Sequence, residues 1–162
     1  MKVLASNDIL DRCPHLISPA HLAIADTNGK ELNPPHLQKI TEALIRAWRV
    51  PNSRTAIVVP FQHGKSRRCS IYFPAWVLML WPETRIALAS YEETFACQFG
   101  GKVRDIINRY GPAFDISLRE DTSAKGEWVI DGHDGGMVCK GRGGALTGRP
   151  ADLLIIDDLI KN

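Results

Sequence analysis

Asp152-Leu153-Leu154-Ile155-Ile156-Asp157-Asp158 is a run of four apolar residues that closes on two carboxylates. A buried parallel strand reads as a continuous apolar run, and α/β folds place their chemistry at the carboxyl ends of such strands. Ala145-Leu146-Thr147-Gly148-Arg149-Pro150-Ala151 leads into it. Far upstream, Thr55-Ala56-Ile57-Val58-Val59 is a second apolar run, and it opens into Pro60-Phe61-Gln62-His63-Gly64-Lys65-Ser66. A phosphate cradle at the exit of one strand and paired acids at the exit of another predict an α/β domain that binds a nucleotide triphosphate with its magnesium.

The elements between these two runs support that class. Residues 1–35 read as a lead-in with one or two short helices, broken by Pro14, Pro19, Gly29, Pro34 and Pro35. Residues 36–162 read as one partial domain. From His36, the residues Leu37, Ile40, Leu44, Ile45 and Trp48 recur at three and four, which predicts a helix closed by Pro51 and Asn52. Thr55 to Val59 is short and β-branched, the pattern of a first core strand. Ser66 to Leu80 predicts a helix kinked at Pro74, and Arg85 to Ser90 a second strand. Glu92 to Tyr110 predicts a long helix with Phe95, Phe99, Val103, Ile106 and Ile107 inward, stopped by Gly111-Pro112. Trp128-Val129-Ile130 and Met137-Val138-Cys139 read as short strands joined by a turn over Gly132-His133-Asp134-Gly135-Gly136. Strands alternating with helices predict a mostly parallel sheet flanked by helices.

The bulk numbers exclude several classes. The 162 residues suffice for one domain with a core, and an apolar fraction of 44% is ordinary for a globular chain. A net charge of +2 gives no global pull toward nucleic acid, so any DNA contact needs a local basic patch. Cys13, Cys69, Cys97 and Cys139 are scattered without a Cys-x-x-Cys pair, which argues against zinc and fits reduced thiols. The longest apolar stretch, Ile71 to Trp81, falls well short of the roughly 20 residues a membrane span needs.

A phosphate loop needs inward backbone amides, a lysine for the terminal phosphates and a hydroxyl for the metal, all at a helix start. Gly64, Lys65 and Ser66 supply the end of that pattern, while Val59 stands where the first glycine of the strict motif would fall. A bare Gly-Lys-Ser arises by chance, but its place after a strand and before a helix favours phosphate. His63 reads as a turn residue rather than a base. Arg67 and Arg68 could meet DNA or phosphate, although arginines in a first helical turn are more often solvated or paired with acids. Asp157 suits magnesium or its water, and Asp158 can polarise the attacking water. The plainer alternative is two acids that begin a turn.

With these residues in view, the chain resembles the large terminase subunit, the ATP-driven DNA-packaging motor of tailed bacteriophages. Pro60 to Ser66 is similar to that family's Pro-Pro-Arg-His-Gly-Lys-Ser loop. Ala89-Ser90-Tyr91 with the adjoining helix resembles its second strand and long helix. Trp128, Gly135-Gly136 and Gly141-Arg142-Gly143-Gly144-Ala145-Leu146-Thr147-Gly148 resemble its glycine-rich segment, and Asp152 to Asn162 resembles its Asp-Leu-Ile-Ile-Ile-Asp-Asp-Pro-Ile-Lys-Asn signature. The likeness covers about residues 36–162.

The resemblance implies a P-loop NTPase-like sheet and ATP with Mg2+ as cofactors. Pro60, Phe61, Gln62, His63, Gly64, Lys65 and Ser66 would bind the nucleotide. Lys65 and Asp158 would be catalytic, and Ser66 and Asp157 would hold the metal. Adenine would lie near His36 and Gln38. Arg142 and Arg149, in and beside the glycine-rich segment, could touch DNA, or the segment could be a plain connection. Double-stranded DNA, a portal protein and a small terminase subunit are the implied partners of a homo-oligomeric ring, in the host cytoplasm and transiently on the procapsid, with no membrane. Gln62 replaces the family's arginine, so Arg67 or a neighbouring subunit would have to supply that charge. Phe61 and Leu159 replace prolines. The family's nuclease domain is absent, as is the strand that lies between the phosphate-loop strand and the acidic strand, so the resemblance implies an incomplete fragment, poorly active alone. Rival readings are a helicase-like ATPase, a non-hydrolysing nucleotide-binding fragment or prophage relic, and an α/β domain with a chance Gly-Lys-Ser.

Overall fold

A computed structural model describes residues 13–144 and 148–160 of the chain. Ala145-Leu146-Thr147 of the glycine-rich segment, Lys161-Asn162 of the acidic signature and residues 1–12 of the lead-in lie outside the described residues. The chain divides into two compact units, Met1–Trp76 and Val77–Asn162.

The first unit is helical. A short 3-10 turn (Pro14–Leu16) precedes α1 (Pro19–Asp26). Ser18 caps α1, its Oγ accepting from the amides of Ala20 and His21, and Pro19 occupies the first turn where its missing N–H costs nothing. The Trp76 indole donates to the Leu16 carbonyl at 2.7 Å, which pins the lead-in turn to the start of α3 (Phe73–Leu80). α2 (Pro35–Arg49) buries Leu37, Ile40, Leu44 and Trp48 of the predicted stripe, adds Thr41, and leaves Ile45 half-buried. Arg67–Tyr72 adopts π-helical geometry within a continuous helical run from Lys65 to Leu80, and this wide turn comes just before Pro74.

Thr55–Val59 is not a strand. Residues 53–60 carry no regular structure, and Val58 is 92% exposed. Strand propensity expresses itself only where a ladder partner exists, and the described residues of this unit contain no strand to pair with.

The second unit carries one five-stranded sheet, β1 (Arg85–Ser90), β2 (Leu118–Ala124), β3 (Glu127–Ile130), β4 (Gly136–Gly141) and β5 (Leu153–Asp157), in the order β2-β3-β4-β1-β5. β1 runs parallel to β4 and β5, whereas β2-β3 and β3-β4 are antiparallel, so the sheet is mixed rather than mostly parallel. α4 (Glu93–Tyr110) packs closely over β4. A Cβ at Gly100 would come within 2.5 Å of the Cys139 sulfur, and the Trp128 indole donates to the Gly100 carbonyl at 3.2 Å. That closeness decides which residues face inward. Ala96, Gly100, Val103, Ile106 and Ile107 do, whereas Phe95 is 53% exposed and Phe99 half-buried, contrary to the expected aromatic stripe. β5 is an edge strand, and Leu154 and Ile156 on one of its faces remain more than half exposed, so the acidic run is not the doubly buried strand its composition suggests. Among the described residues no helix is long and apolar enough to cross a membrane.

Two polar ties close the amino ends of the parallel strands. Arg85 holds Asp152 through its backbone amide and two guanidinium nitrogens at 3.0–3.1 Å. Glu83 accepts from His133 Nδ1 at 2.6 Å and from the Asp134 amide at 2.9 Å, clamping the β3-β4 turn. The His133 bond and then the Asp134 amide hold the Glu83 carboxyl below the usual carboxylate range. A depressed carboxyl stabilises the fold above its unfolded pKa and loses that contribution as pH falls through the folded value. The Asp134 amide resonance should therefore shift on acidification with a midpoint below about 4.3, and Glu83→Gln should erase that transition.

Candidate functional site

The phosphate-like loop lies immediately ahead of the helical run that begins at Lys65, as predicted, but it follows the irregular 53–60 segment rather than the expected strand. Gln62 and Gly64 both take left-handed backbone, at φ of 61° and 78°. Alternating left-handed residues are the building unit of amide nests that accept anions. His63 folds back on the loop, Nδ1 donating to the Phe61 carbonyl at 2.7 Å, which is the turn role expected of it. His36 donates from Nε2 to the His63 carbonyl at 3.2 Å, and the two rings meet edge to face at 5.5 Å. Pro60, Phe61, Gln62 and His63 are exposed, and Gly64, Lys65 and Ser66 are half-buried. Leu37 of α2 backs the glycine, since an added Cβ at Gly64 would lie 3.3 Å from Leu37 Cδ2.

Beside the loop lies an open cleft of about 640 Å³, lined among others by Asp26, Lys30, Glu31, His36, Gly64 and Arg67. Of the two adenine candidates, His36 borders this cleft, and the Gln38 side chain donates to the Asn33 carbonyl at 2.9 Å. The far wall, Asp26 to Pro34, had no legible sequence signal, because its residues are ordinary loop formers. Its shape comes from Thr27, whose hydroxyl donates to the Ala23 carbonyl at 2.8 Å and accepts from the Glu31 amide at 2.9 Å. Glu31 is thereby aimed at both arginines that come after the loop, 2.7 Å from Arg67 and 3.4 Å from Arg68. The carboxylate-paired reading of these two residues holds. Arg68 has no exposed surface and also donates to Thr41 Oγ1 at 2.7 Å and Asn33 Oδ1 at 3.2 Å. Burial pulls its pKa below the ordinary arginine value. Arg67 lies over the Tyr72 ring at 5.9 Å and donates to the Tyr72 hydroxyl, which in turn donates to Asp26 at 3.2 Å. Against the desolvation of partial burial, the Tyr72 hydrogen bond and the Glu31 charge raise the Arg67 pKa.

In the second unit, the acids end β5. Asp157 is 4% exposed and pairs in register with Ser90 of β1. Asp158 is exposed with φ of 47°, and its carbonyl accepts from the Tyr91 amide at 3.1 Å. A second, smaller hollow at this end is lined by Tyr91, Glu92, Glu93, Gly141 and Arg142. Arg149 pairs with Glu127. Lys65 and Ser66 belong to the first unit, and Asp157 and Asp158 to the second. Among the described residues no three His, Cys, Asp or Glu side chains cluster to hold a metal.

The chain matches no protein-family model, no characterised protein and no solved structure, so the terminase likeness stands on its sequence motifs alone.

Gly64 carries both a left-handed backbone and the Leu37 contact, whereas Gly29 has φ of 79° and open space around it. Gly29→Ala should cost about 1 kcal/mol in chemical denaturation, and Gly64→Ala measurably more. Equal losses would show that Leu37 yields freely.

Proposed function

We propose that this chain is the ATP-binding portion of a terminase-like motor that drives double-stranded DNA into a viral procapsid. The observation that carries the reading is the loop itself. It turns on two left-handed residues, delivers Lys65 and Ser66 to a helix start, and opens onto a cleft of about 640 Å³. Helix starts of this kind favour anions.

In this reading the Gly64, Lys65 and Ser66 amides cradle phosphate oxygens, and the Lys65 ammonium neutralises the terminal ones. The donor chemistry suits magnesium, since Ser66 offers a hydroxyl and Asp157 a carboxylate, both hard oxygen ligands. Bound magnesium supplies charge compensation on the phosphate oxygens. Asp158 orients the attacking water through its carboxylate. The assignment of Ser66 and Asp157 to one ion, and the DNA, portal and small-subunit partners, come from the sequence resemblance. The resemblance implies that a strand between the phosphate-loop strand and the acidic strand is missing, and among the described residues no strand pairs with the outer edge of β5. The isolated 162 residues are therefore expected to bind nucleotide and turn it over poorly.

Titration with a fluorescent ATP analogue in magnesium tests the reading. Saturable binding is expected, with Lys65→Ala weakening it about tenfold or more, the worth of a charge-assisted phosphate contact. Binding indifferent to Lys65→Ala would leave the loop as a chance Gly-Lys-Ser. Steady ATP turnover abolished by Lys65→Ala would keep the site and overturn the expectation of poor activity.

A further inference from the structure

Arg67 comes directly after the last residue of the loop and lines the cleft with Gly64. Its Nη2 lies 2.7 Å from Glu31 Oε2, yet its side chain remains 53% exposed, against 10% for Glu31 and none for Arg68. Of Glu31, Arg67 and Arg68, the Arg67 guanidinium is by far the most accessible from the cleft. The other two are fixed: Glu31 by the Thr27 hydroxyl on its amide, and Arg68 by Thr41 and Asn33.

We propose that the Glu31 carboxylate stands in for a ligand phosphate, holding Arg67 at the cleft until a nucleotide phosphate seated on the loop takes the guanidinium over. The inference rests on the reading that the loop binds nucleotide phosphates. Glu31 gives Arg67 one anionic oxygen, Oε2, while its Oε1 meets Arg68, and a phosphate oxygen is the same kind of charged acceptor for a guanidinium. The exchange leaves no orphaned charge. Glu31 keeps Arg68 at 3.4 Å, and the Tyr72 hydroxyl keeps Asp26 at 3.2 Å. Lys30, His36 and His63 also border the cleft, but none of them is the cation that Glu31 holds. Arg67 is thus a ligand-binding residue and Glu31 its internal competitor. Nucleotide affinity is set by the difference between two ion pairs rather than by one.

The test is a double-mutant cycle on the full chain, read as the dissociation constant for a fluorescent ATP analogue with magnesium. Arg67→Ala should weaken binding about tenfold, with Arg67→Lys in between. Glu31→Gln should tighten it severalfold, and that gain should vanish in the Glu31→Gln/Arg67→Ala double variant. A merely structural Glu31 would give the same change in both backgrounds. Wild-type binding that depends on Lys65 but is unchanged by Arg67→Ala would overturn this inference alone, as would a Glu31→Gln gain that survives loss of Arg67. Absence of any Lys65-dependent binding would overturn the phosphate-loop reading and this inference with it. Should Glu31→Gln fail to fold by circular dichroism, the Arg67→Ala and Arg67→Lys affinities decide the matter.

Discussion

A guanidinium with no exposed surface organises the first unit. Arg68 sits within a helical run, and its charge has to be met by groups from separate stretches of chain. Thr41 reaches it from α2, and Asn33 and Glu31 from the loop after α1. Removing the partner of a buried charge costs about 3–5 kcal/mol, because the remaining charge is left uncompensated. Even so the pairing is incomplete, since Arg68 Nε is buried without a hydrogen-bond partner. The network therefore fixes where the 27–34 loop must lie more than it adds stability. That loop is one wall of the cleft beside Gly64, so cleft shape and internal charge balance are the same problem.

The π-helical geometry over Arg67–Tyr72 has a part in this. A regular α-helix turns each residue about 100°, whereas one wide turn adds a residue and rotates the later turns relative to the earlier ones. Arg67 and Arg68 lie at its start and send adjacent side chains to two different duties, one outward to the cleft and one inward to Thr41. Tyr72 closes the turn and bridges back to both Arg67 and Asp26. Wide turns of this kind concentrate at functional sites, and this one lies directly after the loop.

Much of the architecture was legible in residue spacing. The α2 stripe, the Arg85–Ser90 strand and the 127–141 hairpin fall where periodicity and turn chemistry place them. The loop preceding a helix was likewise visible from Gly64-Lys65-Ser66. Three features were not, each for a physical reason. β2 reads Leu-Arg-Glu-Asp-Thr-Ser-Ala, too polar to show strand alternation, because an outer hairpin strand needs little burial. Phe95 looked inward by helical period, but the tight approach of α4 to Cys139 reserves that face for Ala96 and Gly100. Thr55–Val59 has a strand's composition without a ladder, and composition cannot report whether a partner is present. The Glu31 contact to both arginines was also invisible, since it joins residues more than thirty positions apart through a threonine that carries no motif.

In the second unit the mixed sheet still concentrates its parallel pairs around β1. β4, β1 and β5 run the same way and finish together at Gly141, Ser90 and Asp157. Their amino ends are closed by ion pairs and hydrogen bonds among Glu83, Arg85, His133 and Asp152. At their carboxyl ends the backbone instead diverges into α4, the glycine-rich segment and the exposed Asp158, and the Tyr91–Arg142 hollow opens between them. Open α/β sheets bind ligands outside the carboxyl ends of their strands because successive loops part at that edge. One buried acid, Asp157, lies at the rim of this sheet, and among the described residues no strand pairs with the outer edge of β5. The β5 backbone is laddered to β1 on one side, and its outer edge presents a row of donors and acceptors that a further strand could pair.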